Sequence, residues 1–157
     1  MIYEPMNYII SHGGKRLRPI MVLMANDLFG GDLQKAIKPA LAIEFFHNFT
    51  LIHDDIMDEA PLRRNQPTIH TLHGINTGIL SGDALLLKAY KFFEDLEPEL
   101  FKKCIKIFSE TGAVLCEGQQ FDINFENRSD VSYEDYIQMI TFKTGVLSAS
   151  SFQIGAL

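Results

Sequence analysis

The sequence predicts an all-α protein, and three observations support that fold class. Apolar residues recur three and four positions apart over long stretches, which is the period of a helix with one buried face. Prolines stand in the first turns of these stretches or in the loop between two of them. The 157 residues show neither the alternation typical of a half-buried strand nor an internal repeat.

The helical stretches follow one another with short connections. They are predicted at about 2–11, 17–28, 34–59, 75–95 and 98–124, followed by a last helix that begins after Ser132. Prolines in the first turns of the first three stretches and at the start of the fifth fit helix starts, where a missing N–H is tolerated. Residues 60–68 are predicted to form a loop punctuated by two prolines, followed by a short turn at 68–72.

Two further features concern helix ends and helix packing. Ser132 is placed to cap the last helix, with Asp135 three residues later completing a capping box. Gly74, Gly78 and Gly82 recur at four-residue spacing, which predicts one face of the fourth helix in close contact with a neighbour.

Composition excludes some classes of function. Hydrophobic residues make up 46% and charged residues 22%, as in ordinary globular domains. The net charge of −6 argues against nucleic acid as a partner, although the local basic clusters suit a small anionic substrate. Cys104 and Cys116 have no metal or disulfide spacing, which predicts reduced thiols in a cytoplasmic chain. No signal peptide or membrane span is evident.

The most informative stretch is the acidic one that ends the third helix. Asp54, Asp55, Asp58 and Glu59 fall within six residues, directly after a long apolar run. Asp54 and Asp58 share one helical face, where two carboxylates repel unless a cation lies between them. Oxygen ligands of this kind suit Mg²⁺, which typically completes its shell with water and substrate phosphates. A solvated acidic helix end is the alternative.

Basic residues flank this acidic stretch on both sides in the sequence. Arg63 and Arg64 follow it and supply planar donors that match phosphate oxygens. Upstream, Gly13-Gly14 lead into Lys15, Arg16 and Arg18, which places three cations at the mouth of the second helix. With the backbone donors there, the cluster predicts an anion pocket, against the alternative of a helix start with solvated cations.

Three further polar positions interrupt buried helical faces. His47 lies seven residues before Asp54 and so faces the same way as the acids, although a satisfied core histidine is equally consistent. Gln119 and Asp122 share a face of an otherwise apolar helix, where polar groups are hydrogen-bonded or functional. Lys143 interrupts the last helix in the same manner and is weak as a signal on its own.

Taken together, these clusters resemble the trans-prenyltransferases, the family of polyprenyl diphosphate synthases. The ordered set is far more specific than any one member. It comprises Gly13-Gly14-Lys15-Arg16-Leu17-Arg18-Pro19, Leu51-Ile-His-Asp-Asp-Ile-Met-Asp58, Arg63-Arg64-Asn65, Gly82-Asp83, Gln119-Gln-Phe-Asp122 and Lys143-Thr144-Gly145.

The resemblance implies a fold, a reaction and a role for each matching residue. The fold is the isoprenoid-synthase helical bundle, and the reaction joins isopentenyl diphosphate to an allylic prenyl diphosphate. Asp54 and Asp58 would hold Mg²⁺, with Asp55 supporting them. The allylic diphosphate would be bound by Arg63, Lys143 and Thr144, with Gln119 and Asp122 lining the site. The diphosphate of isopentenyl diphosphate would be bound by Lys15, Arg18, His47 and Arg64.

Product length is implied by two residues on the third helix. Phe49 stands five residues before Asp54, where the family often sets chain length, and Thr50 follows it. A bulky ring there suggests a farnesyl- or geranylgeranyl-sized product. A plain core phenylalanine explains the residue as well.

The chain also departs from the family pattern. Family members are about twice as long and carry a second Asp-rich motif, which is absent from this sequence. Residues 1–157 are therefore expected to be the N-terminal part of a single synthase domain. That part would contain only the first helices of the bundle and would be inactive alone, with the complete protein a cytoplasmic homodimer.

Two other functions stay open. One is a non-catalytic partner subunit of a heteromeric prenyltransferase, which the intact first acidic motif disfavours and the missing second motif favours. The other is an all-α metal phosphohydrolase built on His53-Asp54, which would need further histidine ligands from neighbouring helices.

Overall fold

The computed structural model describes residues 2–157 and confirms the all-α class. The helices, in chain order, are α1 (Tyr3–Ser11), α2 (Leu17–Leu28), α3 (Leu33–Met57), α4 (Ile69–His73), α5 (Ile75–Lys91), α6 (Pro98–Phe125), α7 (Tyr133–Ile140) and α8 (Val146–Gly155). Two short strands, β1 (Leu62–Arg63) and β2 (Gln66–Pro67), pair between α3 and α4. A five-residue π-helical segment, Thr141–Gly145, joins α7 to α8.

Local sequence signals account for several helix ends. Pro98 occupies the first turn of α6. The predicted capping box is present at α7: the backbone N–H of Asp135 donates to Ser132 Oγ at 3.0 Å, and the Ser132 N–H donates to the Asp135 carboxylate at 3.1 Å. Two of the N–H groups at this helix start are thereby satisfied.

The chain folds as two compact units. The first consists of residues 2–17 and Leu41–Glu94. Its core gathers apolar side chains from α1, α3, α4 and α5, namely Met6, Ile9, Ile52, Ile69 and Leu85. Full burial of one such aliphatic side chain stabilises the fold by about 1.5–3 kcal/mol. This core fixes the end of α3 against α1 and α4.

The glycine spacing on α5 has the predicted packing role. A Cβ atom added at Gly78 would lie 2.8 Å from Ile56 Cδ1, and one at Gly82 would overlap the His53 ring. Both partners belong to α3, so two of the three glycines allow α5 to pack closely on the acidic end of that helix. Gly74 has no neighbour within 4 Å of such a Cβ and instead ends α4 with a positive φ.

The second unit consists of Arg18–Ala40 and Asp95–Leu157. Its buried apolar residues include Cys104, Phe108 and Leu115 of α6 and Leu147 and Ile154 of α8. α3 begins in this unit and is 25 residues long. Even so, none of the helices within residues 2–157 combines the length and apolar character needed to cross a membrane.

Three local predictions were wrong. The loop at 60–68 contains the β1–β2 hairpin, whose two-residue strands are too short to show alternation. The helix predicted at 75–95 ends at Lys91 and continues as turns. The last helix is not continuous, because the wider π turn at Thr141–Gly145 interrupts it.

The two cysteines of α6 differ in their surroundings and should differ in reactivity. Cys104 is buried, and burial raises the pKa of its thiol to about 11, whereas Cys116 is exposed. Because the thiolate is the nucleophile, iodoacetamide at pH 8 should modify Cys116 and leave Cys104 intact, as read by peptide mass spectrometry. Cys116→Ser should remove the fast reaction, and both thiols should react in urea. Equal rates at the two cysteines of the folded protein would contradict this burial.

Candidate active site

The acidic end of α3 distributes its three aspartates over different environments. Asp54 is half-buried and Asp55 is buried, with 3% of its surface exposed. Asp58 lies one residue beyond the helix and is exposed, and its N–H still donates to the Asp54 carbonyl at 2.9 Å. The helical register therefore persists to Asp58, which keeps Asp54 and Asp58 four residues apart on one face.

Arg63 of β1 pairs with this acidic end. Its Nε donates to Asp55 Oδ1 at 2.7 Å, and its Nη2 lies 3.4 Å from Asp54 Oδ2. Burial raises the pKa of Asp55, and the Arg63 guanidinium acts against that rise. Asp55 thus links α3 to the hairpin, and the metal-supporting role predicted for it stays a prediction. The predicted contact of Arg63 with a diphosphate stays a prediction.

The hairpin turn presents Arg64. Arg64 and Asn65 have φ values of 53° and 63°, the left-handed pair that a tight two-residue hairpin turn requires. The Arg64 Nη1 group donates to the carbonyl of His12 at 2.9 Å and also to that of Gly13. Gly14 has a φ of 137°, and a Cβ there would lie 2.9 Å from Arg64 Nη1. This backbone conformation favours glycine, and the absence of a side chain leaves room for the Arg64 guanidinium.

Further hydrogen bonds fix the base of the hairpin. The hydroxyl of Tyr8 donates to the Pro67 carbonyl at 2.8 Å, and Thr68 Oγ1 donates to the Ala60 carbonyl at 2.8 Å. A shallow, solvent-open cleft lies between α1 and the hairpin. Its lining includes His12, Asp55, Arg63 and Arg64. Within the first unit, the structure thus gathers both arginines and a buried acid at one place.

The basic loop between α1 and α2 differs from its prediction at one residue. Lys15 is exposed, as an anion-binding side chain would be, and Arg18 is half-buried. Arg16 does not join them at the mouth of the helix. Its guanidinium instead forms an ion pair with the buried carboxylate of Glu44. The sequence could not reveal this, because Glu44 is 28 residues away in the chain.

The remaining predicted residues of α3 lie before the acids. His47 is half-buried, and its carbonyl accepts a hydrogen bond from Thr50 Oγ1 at 2.8 Å. The ring of Phe49 is half-buried between Phe46 and His53, with centroids 5.5 and 4.8 Å away. This aromatic row is compatible with a core residue and with the wall of a hydrocarbon site, so both interpretations of Phe49 stay open.

The second unit brings the other polar positions together. Lys143 Nζ donates to Asp122 Oδ2 at 2.5 Å. Gln119 lies one turn earlier on α6 and is 9% exposed, and its Nε2 has no hydrogen-bond partner among residues 2–157. Thr144 follows Lys143 on the π segment and is exposed. The unit therefore presents a paired lysine and a buried amide donor, a combination suited to anion oxygens.

Sequence reasoning missed the residue that makes this arrangement possible. A Cβ at Gly118 would fall on the backbone of the π segment, 2.6 Å from the Phe142 carbonyl carbon. Only a glycine lets α6 and the π segment approach this closely. The signal in the sequence was Gly118 itself, directly before Gln119, together with the interruption at Lys143-Thr144-Gly145.

The donors at the acidic end of α3 fit a hard divalent cation. Asp54 and Asp58 offer carboxylate oxygens only, which is the chemistry that Mg²⁺ prefers. No group of three or more His, Cys, Asp or Glu side chains within residues 2–157 is arranged to hold a metal by itself. Two carboxylates with water and substrate phosphates match the usual coordination of Mg²⁺, whereas the phosphohydrolase alternative requires more protein ligands.

Comparison with known proteins agrees with this set of features, and the chain belongs to the polyprenyl synthetase family, whose family model matches residues 1–157. It is 41% identical over 158 residues to a geranylgeranyl diphosphate synthase of Methanosarcina mazei, covering 99% of this chain and 49% of that protein. It is 44% identical to the geranylgeranyl diphosphate synthase of Saccharolobus solfataricus, covering 96% and 46%.

The fold comparison gives the same result. A crystal structure of a geranylgeranyl pyrophosphate synthase superposes with a TM-score of 0.97 at 50% identity, covering 99% of this chain and 47% of that one. The helices described above are therefore helices of the all-α isoprenoid-synthase fold. The chain spans about half the length of these relatives.

The Asp55–Arg63 pair should contribute to the free energy of unfolding. Arg63→Met leaves the buried Asp55 carboxylate without its counter-charge. Because the Arg63 side chain is 29% exposed, we expect a loss of about 2 kcal/mol in the free energy of unfolding, below the 3–5 kcal/mol typical of fully buried pairs. Urea unfolding followed by circular dichroism measures it.

The matched control is Lys106→Met, which removes an ion pair whose side chains are 74% and 66% exposed and which should change stability little. Adding Asp55→Asn to Arg63→Met should restore part of the loss, since no buried charge then remains. Equal urea-unfolding midpoints for Arg63→Met and Lys106→Met would show that burial of the Asp55 carboxylate does not depend on Arg63.

Proposed function

We propose that the protein is a trans-prenyltransferase that condenses an allylic prenyl diphosphate with isopentenyl diphosphate. The observation that carries the proposal is the acidic end of α3, where Asp54 and Asp58 lie beside the Asp55–Arg63 pair and the hairpin that contacts the glycine loop. Carboxylates for a metal and cations for phosphate thus occur in one compact unit. Family membership and two relatives named geranylgeranyl diphosphate synthases support the same reaction.

The reaction is a substitution at an allylic carbon. The allylic C–O bond breaks, and diphosphate leaves with the electron pair. The double bond of isopentenyl diphosphate attacks the allylic carbon, forming a C–C bond, and the resulting cation loses a proton to give a new allylic diphosphate. Stabilising the charge that develops on the leaving diphosphate is the main demand on the protein.

Each charged group then has a defined role. Asp54 and Asp58 would hold Mg²⁺, which supplies positive charge to the diphosphate oxygens when it is bound. Asp55 positions Arg63, whose guanidinium lies within reach of both Asp55 and Asp54 and would add further donors to the leaving group. Lys15, His47 and Arg64 are proposed to bind the diphosphate of isopentenyl diphosphate, as is Arg18.

The polar residues of the second unit are assigned to the allylic diphosphate because of the resemblance to the trans-prenyltransferases. They are Gln119, Asp122, Lys143 and Thr144. The unpaired Nε2 donor of buried Gln119 supports the assignment, because a buried donor without a partner is costly unless a ligand satisfies it. The hydrogen bond to Asp122 orients Lys143, and Thr144 follows it in the chain. These roles stay predictions, as do the homodimer and the cytoplasmic location.

The partner-subunit alternative differs in whether the chain carries out the chemistry. The intact set Asp54, Asp55 and Asp58 with its Arg63 brace favours a catalytic chain. Inactivity of residues 1–157 by themselves stays a prediction too. A measurement of intact mass should therefore precede the assay, so that the length of the protein under test is known.

The direct test is prenyl transfer by the protein purified from its native source. Labelled isopentenyl diphosphate and farnesyl diphosphate should give a longer prenyl diphosphate in the presence of Mg²⁺ and none with excess EDTA, as read by liquid chromatography and mass spectrometry. Asp54→Ala in the same protein should lower kcat by about a thousandfold or more, because it removes a proposed metal ligand. Absence of elongation with every short allylic diphosphate, or phosphate release from nucleotides instead, would contradict the proposal.

Product length tests the role of Phe49. If its ring closes the hydrocarbon site, Phe49→Ala should shift the main product to longer chains by at least one five-carbon unit. Phe46→Ala is the matched control, because it removes the neighbouring ring of the same row, which is 4% exposed. An unchanged product with Phe49→Ala would leave Phe49 as a core residue only.

A further inference from the structure

Arg16 is a basic residue of the glycine loop whose ion pair points into the protein. Its φ of 48° lies in the left-handed region, which is uncommon for a residue with a long side chain. Its Nη1 group donates to the Glu44 carboxylate and its Nη2 group to the Ile10 carbonyl. The guanidinium thus links the end of α1 to the middle of α3.

The partner of Arg16 is itself held in place. Glu44 is 8% exposed, and a buried carboxylate is tolerated only when it is paired and hydrogen-bonded. Asn48, which is fully buried, donates through Nδ2 to Glu44 Oε1 at 3.0 Å and to the Glu44 carbonyl at 2.8 Å. The carboxylate oxygen that meets Arg16 is therefore fixed by a second contact from the same helix. We call Arg16, Glu44 and Asn48 the loop anchor.

The loop is held from a second side by the hairpin. Arg64 donates to the carbonyls of His12 and Gly13, while Arg16 donates to that of Ile10. Two guanidinium groups thus bind loop and helix-end carbonyls, while Lys15 of the same loop is exposed. The anchor also brackets His47, which lies three residues after Glu44 and one before Asn48.

We propose that the loop anchor positions Lys15 and His47 for the diphosphate of isopentenyl diphosphate, and that Arg16 acts through this anchor and not as a ligand. The inference rests on the proposed function of the loop. Three contacts carry it: the Arg16–Glu44 ion pair, the Arg16 bond to Ile10 and the Asn48 bond to Glu44. Arg16 is therefore a positioning residue, since its cationic group is paired with a protein carboxylate.

Glu44→Met distinguishes positioning from direct binding by Arg16, because only positioning predicts a weaker affinity for an anion. The substitution removes a negative charge near an anion site and releases Arg16. If Arg16 were a ligand, both changes would hold or strengthen anion binding. If the anchor positions the loop, binding weakens although the local charge becomes more positive.

The readout is the affinity for inorganic diphosphate, measured by calorimetry in EDTA. EDTA removes the metal ion from the proposed metal-dependent site, and the measurement needs no turnover. We expect at least tenfold weaker binding for Glu44→Met. The KM for isopentenyl diphosphate should rise by a similar factor, while the KM for the allylic diphosphate stays within twofold. Arg16→Lys keeps the positive charge but cannot make both hydrogen bonds of the guanidinium. Its affinity for diphosphate should lie between those of the wild type and Glu44→Met.

Two further variants make the result independent of folding defects. Arg16→Met with Glu44→Met replaces the ion pair by apolar side chains, which preserves folding better than a single lost partner, and should bind diphosphate as weakly as Glu44→Met. Lys38→Met removes an exposed ion pair with Asp95 and should bind like wild type. Wild-type binding by Glu44→Met or by Arg16→Lys would overturn the inference. Absence of turnover in the wild-type protein purified from its native source would instead contradict the proposed function.

Discussion

The interaction on which the candidate site depends is the pair formed by buried Asp55 and Arg63. Asp55 comes from the last turn of α3 and Arg63 from the first strand of the hairpin, eight residues later. A carboxylate with 3% exposure is unfavourable without a counter-charge, so the pair decides where the hairpin can lie. Once Arg63 is fixed, the left-handed turn at Arg64 and Asn65 directs the next guanidinium to the carbonyls of the glycine loop.

This arrangement separates structural from chemical use of similar residues. Of the three aspartates, buried Asp55 accepts a hydrogen bond from Arg63, while Asp54 and Asp58 are more accessible. Of the loop cations, Arg16 is paired with Glu44, while Lys15 is exposed. Clusters of like charge in a sequence therefore divide into members that hold the site and members that face its ligand.

The features that depend on nearby residues could be predicted from the sequence, and those that depend on distant ones could not. Helix starts at Pro98 and at the Ser132 cap follow from local chemistry, and the spacing of Gly78 and Gly82 predicted a close helix contact. The inward turn of Arg16 needed Glu44, 28 residues away. The π segment depends on its close approach to Gly118, more than twenty residues earlier, and nothing around Lys143 alone specifies it.

The central claim is that the acidic end of α3 binds a diphosphate through Mg²⁺, and calorimetry with an unreactive allylic thiodiphosphate tests it most directly. The analogue cannot ionise readily, so binding is measured without turnover. The account predicts saturable binding of the analogue with Mg²⁺ and at least a hundredfold weaker binding in EDTA, because the diphosphate and the two carboxylates repel without the metal. Equal affinity with and without Mg²⁺, or no binding in either case, would contradict it.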